Sequence, residues 1–260
     1  MRIPEMLMQR YNKEHLSYSS LKKALTDIAL FDLHMKGKVE YKSDALEFGS
    51  MYDAILFDLD RAKATYKVLS NQEILGMCSG KTASSKRPEA TAEFKEIKEK
   101  MRIDLFDSGV LVCSQEDWDQ AIAMVDRLRV CGILDTYLKG DYQKEVYGEI
   151  NGVIIKGYLD CLGSGFISDS KSTRSVDGFR YDVNKLCYDI QAYLYCKLTG
   201  IDDFYWVVQE KTYPYLPAVV KCSQESLFRG EMKFFNAITK ISAWLNDDSA
   251  GETDYMTFEV

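Results

Sequence analysis

The amino-terminal half of the chain carries apolar residues at the spacing typical of helices. Between residues 17 and 36, apolar residues recur every three or four positions after a run of serines, which predicts a capped helix. The same spacing predicts helices over residues 43–58, 90–102 and 115–130. Residues 71–88 are rich in Ser, Gly and Lys, and this composition predicts a loop.

The hydrophobic pattern changes near residue 140 from helical spacing to short β-branched or alternating runs. These runs cover residues 142–149, 152–162 and 165–171. Asn151-Gly152 lies between the first two runs and favours a tight hairpin. A Gly-Ser-Gly turn separates the second run from the third. The sequence therefore predicts three consecutive antiparallel strands.

Helical spacing returns after these strands. A helix is predicted over residues 182–198, followed by strands over 203–210 and 216–222 and a long amphipathic helix over 224–245. The order of strands and helices predicts an α/β (α+β) fold, in which helices flank a mixed β-sheet. The preceding helices are an N-terminal helical elaboration of this core.

The chain shows no internal repeat and no obvious linker, so we expect one domain spanning residues 1–260. Within it, residues 1–140 are mainly helical, residues 141–222 form the sheet core, and residues 223–260 supply the last helix and an acidic tail.

Composition and charge narrow the class of protein. The 260 residues are 46% hydrophobic and 28% charged, which is typical of a globular protein. No apolar run approaches the about 18 residues of a membrane span, and the charged N-terminus is unlike a signal peptide, so we expect a cytoplasmic protein. The net charge of −7 argues against a nonspecific nucleic-acid coat. It still allows an enzyme that concentrates its cations in one channel.

The seven cysteines are scattered, and no pair has the spacing of a zinc or iron–sulfur site. We expect them to be reduced and mostly buried.

Two carboxylates and a lysine are the candidate chemistry of the sheet. Asp160 ends the second predicted strand, and Asp169 and Lys171 lie on the third. Side chains two positions apart on a strand share a face, so Asp169 and Lys171 project together while Ser170 points away. Paired carboxylates hold Mg²⁺, and a neighbouring lysine can orient an attacking water. The alternative is that these residues form a surface ion pair of little energetic value.

Two other segments resemble functional motifs but fail in detail. GMCSGKT (76–82) has three residues between its glycines, whereas a phosphate loop has four. AILFDLDRAKAT (54–65) resembles the start of a haloacid-dehalogenase-like phosphatase, but Arg61 replaces the usual glycine and the segment continues a helical pattern. We interpret the second segment as the end of a helix.

Asp160, eight intervening residues and Asp169-Ser170-Lys171 on a predicted hairpin resemble the PD-(D/E)XK nuclease signature, with Leu159 where many members have proline. The flanking segments resemble the RecE (exodeoxyribonuclease VIII) branch, which is related to lambda exonuclease and RecB nuclease domains. The resemblance covers roughly residues 16–245. The matching segments are LSYSSLKKAL (16–25), GSMYDAILFD (49–58), QKEVYGEINGVIIKGYLDCL (143–162), ISDSKST (167–173), YDIQAYLY (188–195) and WVVQEKTYPY (206–215).

The resemblance implies a restriction-endonuclease-like core and a role for each residue of the hairpin. Asp160, Asp169 and the backbone carbonyl of Ser170 are the implied metal ligands. Lys171 is implied to position and activate the attacking water. Gln191 is implied to orient Lys171 or the scissile phosphate.

Further roles follow from the same resemblance. Glu145 is an implied metal ligand from the first strand, with Glu149 as a competing candidate. Asp53 stands where this branch usually has a metal-binding histidine, and we expect it to be a ligand as well. The implied contacts to substrate are Ser172, Thr173, Arg174 and Tyr195.

The function implied by the resemblance is that of a phage or prophage exodeoxyribonuclease that uses Mg²⁺, with Mn²⁺ as a substitute. Its substrate is linear double-stranded DNA, degraded 5′→3′ to leave 3′ single-stranded tails for recombination by an annealing protein. Members of this branch assemble as rings, so we expect a homo-oligomer. One alternative is an endonuclease with the same chemistry. The other is a non-catalytic DNA-binding or assembly module, and the presence of Asp53 in place of the usual histidine favours this second alternative.

Overall fold

The computed structural model describes residues 2–38 and 44–247, so the acidic tail from residue 248 lies outside the described residues. The chain divides into two compact units, one made of residues 1–42 with 131–260 and the other of residues 43–130. The helical part expected over residues 1–140 therefore contributes to both units. Among the described helices, none has the length and apolar character needed to cross a bilayer.

The first unit contains most of the strands and the longest helix that the structure describes. Its elements, in chain order, are α1 (Ile3–Tyr11), β1 (His15–Leu16), α2 (Tyr18–Thr26), α3 (Ile28–Met35), α10 (Ile133–Tyr137), β4 (Asp141–Ile150), β5 (Val153–Leu162), β6 (Ile167–Thr173), α11 (Phe179–Lys185), α12 (Tyr188–Thr199), β7 (Phe204–Glu210), β8 (Pro217–Lys221) and α13 (Gln224–Asn246).

The described residues of this unit form a six-stranded mixed sheet. β4 and β5 are an antiparallel hairpin, and Asn151 and Gly152 at its turn both have positive φ, as a primed hairpin turn requires. β6 pairs antiparallel with β5 and parallel with β7, and β8 closes the order antiparallel to β7. Helices flank the sheet, so the predicted mixed α/β fold is confirmed.

The two edges of β5 are paired differently. β4 follows one edge along nearly the whole strand. On the other edge, β1 pairs with Ile154 and Ile155, and β6 pairs with Cys161 and Leu162. Among the described residues, no strand pairs with residues 156–160 on this second edge. β5 and β6 therefore separate at Asp160, one of the two candidate carboxylates.

Helices α12 and α13 pack closely against each other beside the sheet. Gly230 on α13 lies so close to α12 that an added Cβ would be 2.1 Å from the carbonyl oxygen of Asp189. The buried Asp189 carboxylate accepts from Arg229 Nε and Lys233 Nζ, each at 2.8 Å. The apolar core beneath includes Phe204 and Trp206 of β7, both about 1% exposed or less. This packing fixes α12, which supplies residues to the candidate site.

The second unit is mostly helical, with a small two-stranded parallel sheet. Its elements are α4 (Asp44–Phe57), α5 (Leu59–Thr65), β2 (Tyr66–Val68), α6 (Asn71–Met77), α7 (Gly80–Ala83), a 3₁₀ turn (Pro88–Ala90), α8 (Ala92–Asp107), β3 (Leu111–Cys113) and α9 (Gln115–Val130). The predicted loop over residues 71–88 is wrong, because α6 and α7 lie within it. Ser70 and Glu73 cap α6 reciprocally, and Ile74 is fully buried.

Two other predicted helices are interrupted. The helix expected over residues 17–36 is divided at Asp27, whose side chain accepts from the backbone N–H of Ala29 at 2.7 Å and caps α3. The helix expected over residues 182–198 is two helices, with Cys187 at φ 60° between them. This turn sets the direction of α12 toward the sheet.

Candidate active site

Asp160 and Asp169 face each other where β5 and β6 separate. The last ladder pair before the separation is Cys161 with Ser168, so the next pair in register is Asp160 with Asp169. Instead of a backbone ladder bond, Asp160 Oδ2 accepts from the backbone N–H of Ser170 at 2.9 Å. The Asp160 carboxylate therefore fills the opening between the strands and holds β6 beside it.

Asp169 and Lys171 form an ion pair on one face of β6, as alternation predicts. The Lys171 ammonium contacts Asp169 Oδ2 and donates to the carbonyl oxygen of Ser170 at 3.1 Å. It also lies 5.2 Å from the ring centre of Tyr188 on α12. The Asp169 side chain is 1% exposed and that of Lys171 is 18% exposed, so this is a desolvated pair rather than a surface one.

Helix α12 supplies a second contact to Asp169. Gln191 Nε2 donates to Asp169 Oδ1 at 2.8 Å, so both oxygens of this carboxylate are held. Tyr195, one turn further along the helix, is 6% exposed, and its ring packs on Gly157, where an added Cβ would be 2.6 Å from Cε1. The substrate contact implied for Tyr195 stays a prediction, and the observed role of its ring is packing.

The serine-rich helix start anchors the turn before α12. The Tyr18 hydroxyl donates to the carbonyl oxygen of Leu186 at 2.6 Å. Ser17 caps the same helix by accepting from the backbone N–H of Ser20. The LSYSSLKKAL segment thereby fixes the position of Tyr188, two residues after Leu186.

Burial and charge act in opposite directions on the central pair. Burial raises the pKa of Asp169 to about 7, although the Lys171 ammonium lowers it and the Asp160 carboxylate raises it further. Burial alone lowers the pKa of Lys171, but the charges of Asp169 and Asp160 outweigh this effect and its net pKa is raised. The site thus contains a buried carboxylate whose ionised form depends on a neighbouring cation.

The donor set fits a hard divalent cation. Asp169, Asp160 and the Ser170 carbonyl offer oxygen atoms, and Mg²⁺ is commonly held by one or two carboxylates with water and substrate completing its shell. Among the residues that the structure describes, no group of three or more His, Cys, Asp or Glu side chains could hold a metal ion. The candidate protein ligands are therefore two carboxylates and one backbone carbonyl. A third protein carboxylate is not needed, because water and substrate can complete the shell of the ion.

The two glutamates proposed from β4 lie opposite residues of β5 other than Asp160. Glu145 pairs across the hairpin with Tyr158, accepts from its hydroxyl at 2.7 Å and forms an ion pair with Lys156 at 2.8 Å. Glu149 lies further along β4, opposite Ile154. The β4 residue that contacts Asp160 is Gln143, whose Nε2 donates to Asp160 Oδ1 at 3.3 Å. The ligand roles of both glutamates stay predictions.

The remaining predicted residues fall in two places. Asp53 lies within α4 of the second unit, and its role as a ligand stays a prediction. Ser172, Thr173 and Arg174, at the end of β6, line a pocket of about 360 Å³. Tyr188 and Lys211 line the same pocket. Both lie in segments that carry the resemblance, 188–195 and 206–215, but neither was assigned a role from the sequence.

The structure also accounts for the two rejected motifs. In GMCSGKT, the Glu93 carboxylate accepts from the Ser79 backbone at 2.8 Å, from its hydroxyl at 2.7 Å and from the Thr82 hydroxyl. The segment therefore binds a carboxylate of its own chain. In AILFDLDRAKAT, α4 ends at Phe57 and Asp58 caps α5, so the segment is helical, as we interpreted it.

Comparison with known proteins supports the assignment of the fold. Residues 17–244 match the family model described as a PDDEXK-like domain of unknown function (DUF3799). A crystal structure from Eubacterium rectale, named "Putative exonuclease", is similar with a TM-score of 0.59 and 18% identity, over 97% of this chain and 92% of that chain. The structure of SSO0001 aligns over 84% of each chain, but with a TM-score of 0.30 and 13% identity, values too low to indicate a shared fold. No curated protein shows significant similarity to the chain.

Proposed function

The chain belongs to the PDDEXK-like domain family, and from this premise we propose that it is a metal-dependent deoxyribonuclease that degrades linear double-stranded DNA 5′→3′. The observation that carries the proposal is the contact of Lys171 with Asp169, beside Asp160, at the point where β5 and β6 separate. A buried lysine–carboxylate pair beside a second carboxylate combines metal ligands and a cation in one small volume.

Each residue of the site has a role in this proposal. Asp160, Asp169 and the Ser170 carbonyl would hold Mg²⁺, or Mn²⁺ in its place. The bound ion supplies charge neutralisation at the phosphodiester and a water of lowered pKa. Lys171 orients the attacking water and offsets charge on the phosphate. Gln191 keeps the Asp169 carboxylate in the orientation that ligation needs.

The finer parts of the proposal come from the RecE resemblance. We expect 5′→3′ digestion to leave 3′ single-stranded tails for a single-strand annealing protein, in the cytoplasm of a bacterial host. A ring of identical chains would reconcile a net charge of −7 with DNA binding, because cations can line the lumen while acidic residues face outward.

One assay separates this function from its alternatives. The purified protein is incubated with end-labelled linear duplex, first with Mg²⁺ and then with EDTA, and in parallel with closed circular DNA. Release of mononucleotides that needs the metal and a DNA end supports the exonuclease. Comparing how early a 5′-end label and a 3′-end label are released reports the polarity. Cleavage of the circle indicates an endonuclease. Metal-independent binding without digestion indicates the non-catalytic module.

A further inference from the structure

The pocket at the end of β6 lies next to the candidate catalytic pair. Tyr188 connects the two, because its ring lies 5.2 Å from Lys171 Nζ and also lines the pocket. Thr173 follows Lys171 by two residues on the same face of β6, about 7 Å further along a strand that rises 3.3–3.4 Å per residue. A nucleic-acid strand carries one phosphate per about 3.4 Å of duplex axis. A phosphate one or two nucleotides from the scissile bond would therefore reach this pocket.

The lining of the pocket has more cationic than acidic side chains, although the whole chain is acidic. Arg174 and Lys211 contribute two cations to its lining, against the single carboxylate of Asp182. Ser172 and Tyr188, which carry hydroxyl groups, also line the pocket. Cations with hydroxyl donors are the groups that bind phosphate oxygens in nucleic-acid complexes.

The loop that forms the pocket is held before any ligand binds. Glu210 Oε1 accepts from the backbone N–H of Val176 at 2.9 Å, and the backbone N–H of Lys211 donates to the Thr173 carbonyl at 3.0 Å. The Thr173 hydroxyl accepts from the backbone N–H of Ser175 at 3.3 Å. These bonds tie residues 173–176 to the end of β7, so Lys211 and Arg174 lie on a constrained frame. The Thr173 side chain thus helps to hold the loop, and its implied contact with substrate stays a prediction.

We propose that this pocket, which we call the Lys211 pocket, binds an internal phosphate of the DNA strand next to the scissile phosphate, with Lys211 and Arg174 as its cationic contacts. The proposal rests on the proposed function, since it assumes that the strand passes Lys171. It goes further by assigning Lys211 to substrate binding and Glu210 to positioning of the loop.

The first test compares Lys211→Ala with Lys221→Ala. Lys221 on β8 is the matched control, because its substitution removes the same charge from an exposed ion pair with Asp203. Binding of linear duplex is measured in EDTA over a salt series. We expect Lys211→Ala to weaken binding about tenfold and to reduce the salt slope by about 1, with Lys211→Arg restoring most of the affinity. Equal behaviour of Lys211→Ala and Lys221→Ala would overturn the proposal.

The second test locates the phosphate. Duplexes carrying one neutral methylphosphonate at successive positions are bound by the wild type and by Lys211→Ala. We expect one internal position at which the neutral linkage weakens wild-type binding about tenfold but leaves Lys211→Ala unchanged. Independent effects at every position would overturn the assignment, as would an effect confined to a 5′-phosphate compared with a 5′-hydroxyl end.

These measurements separate the pocket from the function on which it rests. Thermal melting checks that each variant is folded. If the wild type cleaves DNA and Lys211→Ala binds as the wild type does, the pocket is wrong and the nuclease remains. If the folded wild type neither binds nor cleaves DNA, the proposed function is wrong as well.

Discussion

Gln191 Nε2 lies 2.8 Å from Asp169 Oδ1, while the Lys171 ammonium contacts the other oxygen of the same carboxylate. A residue on helix α12 and a residue on strand β6 thus fix one buried side chain. A carboxylate held on both sides cannot rotate freely. In the proposed function, Gln191 is therefore a positioning residue for Asp169.

We expect Gln191→Ala to lower the cleavage rate about 10–100-fold, the usual effect of removing an outer partner of a metal ligand. The Mg²⁺ concentration for half-maximal activity should rise as well, because Asp169 loses its orientation. Lys197→Ala is the control on the same helix, since Lys197 is an exposed residue of α12 to which no role in the site is assigned. A metal titration of Gln191→Ala that matches the wild type would show that the amide has only a packing role.

The pKa of Asp169 predicts how metal binding depends on pH. Burial raises this pKa to about 7, so below pH 7 the carboxyl group is mostly protonated and a metal ion must displace the proton. The Mg²⁺ dissociation constant should rise by up to about tenfold for each pH unit below 7 and become constant above about pH 8. Calorimetric titration with Mg²⁺ from pH 5.5 to 8.5, in the absence of DNA, measures this dependence. A dissociation constant that does not change over this range would contradict a raised pKa of Asp169 at the proposed metal site.

The close packing of α12 and α13 predicts a sensitive glycine. An alanine Cβ at Gly230 would lie 2.1 Å from the Asp189 carbonyl oxygen, so the helices must move apart. We expect Gly230→Ala to lower the free energy of unfolding by about 1–3 kcal/mol. Gly76→Ala is the control, because Gly76 lies in α6 with no atom near the added Cβ, and there alanine should stabilise by roughly 0.5–1 kcal/mol. Denaturant unfolding of both variants measures the difference, and equal stabilities would show that the helices are not in close contact.

Local patterns in the sequence predict much of the fold. The hairpin around Asn151-Gly152 and the shared face of Asp169 and Lys171 follow from alternation and turn chemistry, which act between near neighbours. The break at Asp27 is harder to predict, because apolar spacing continues through it and only the cap contact divides the helix. Helix α6 is missed because its composition favours a loop, while Ser70 and Glu73 stabilise it by capping.

The contacts between distant elements explain the rest of the candidate site. Gln143 reaches Asp160 only because of the β4–β5 register, which composition does not determine. Tyr188 and Lys211 join the site through the folding of α12 and β7 beside β6. The resemblance includes the segment 206–215 around Lys211 but assigns that lysine no role, and its place in the pocket is what suggests one.

The proposed function depends most on the assignment of Lys171 to the chemical step and of Asp169 to metal binding. The most direct measurement is single-turnover cleavage of linear duplex, with Mg²⁺ binding followed by calorimetry, for Lys171→Ala and Asp169→Ala, with Lys185→Ala as an exposed control on α11. We expect Lys171→Ala to bind Mg²⁺ and to cleave about 10²–10⁴-fold more slowly, Asp169→Ala to lose both properties, and the control to retain both. Cleavage at the wild-type rate by Lys171→Ala would contradict the account.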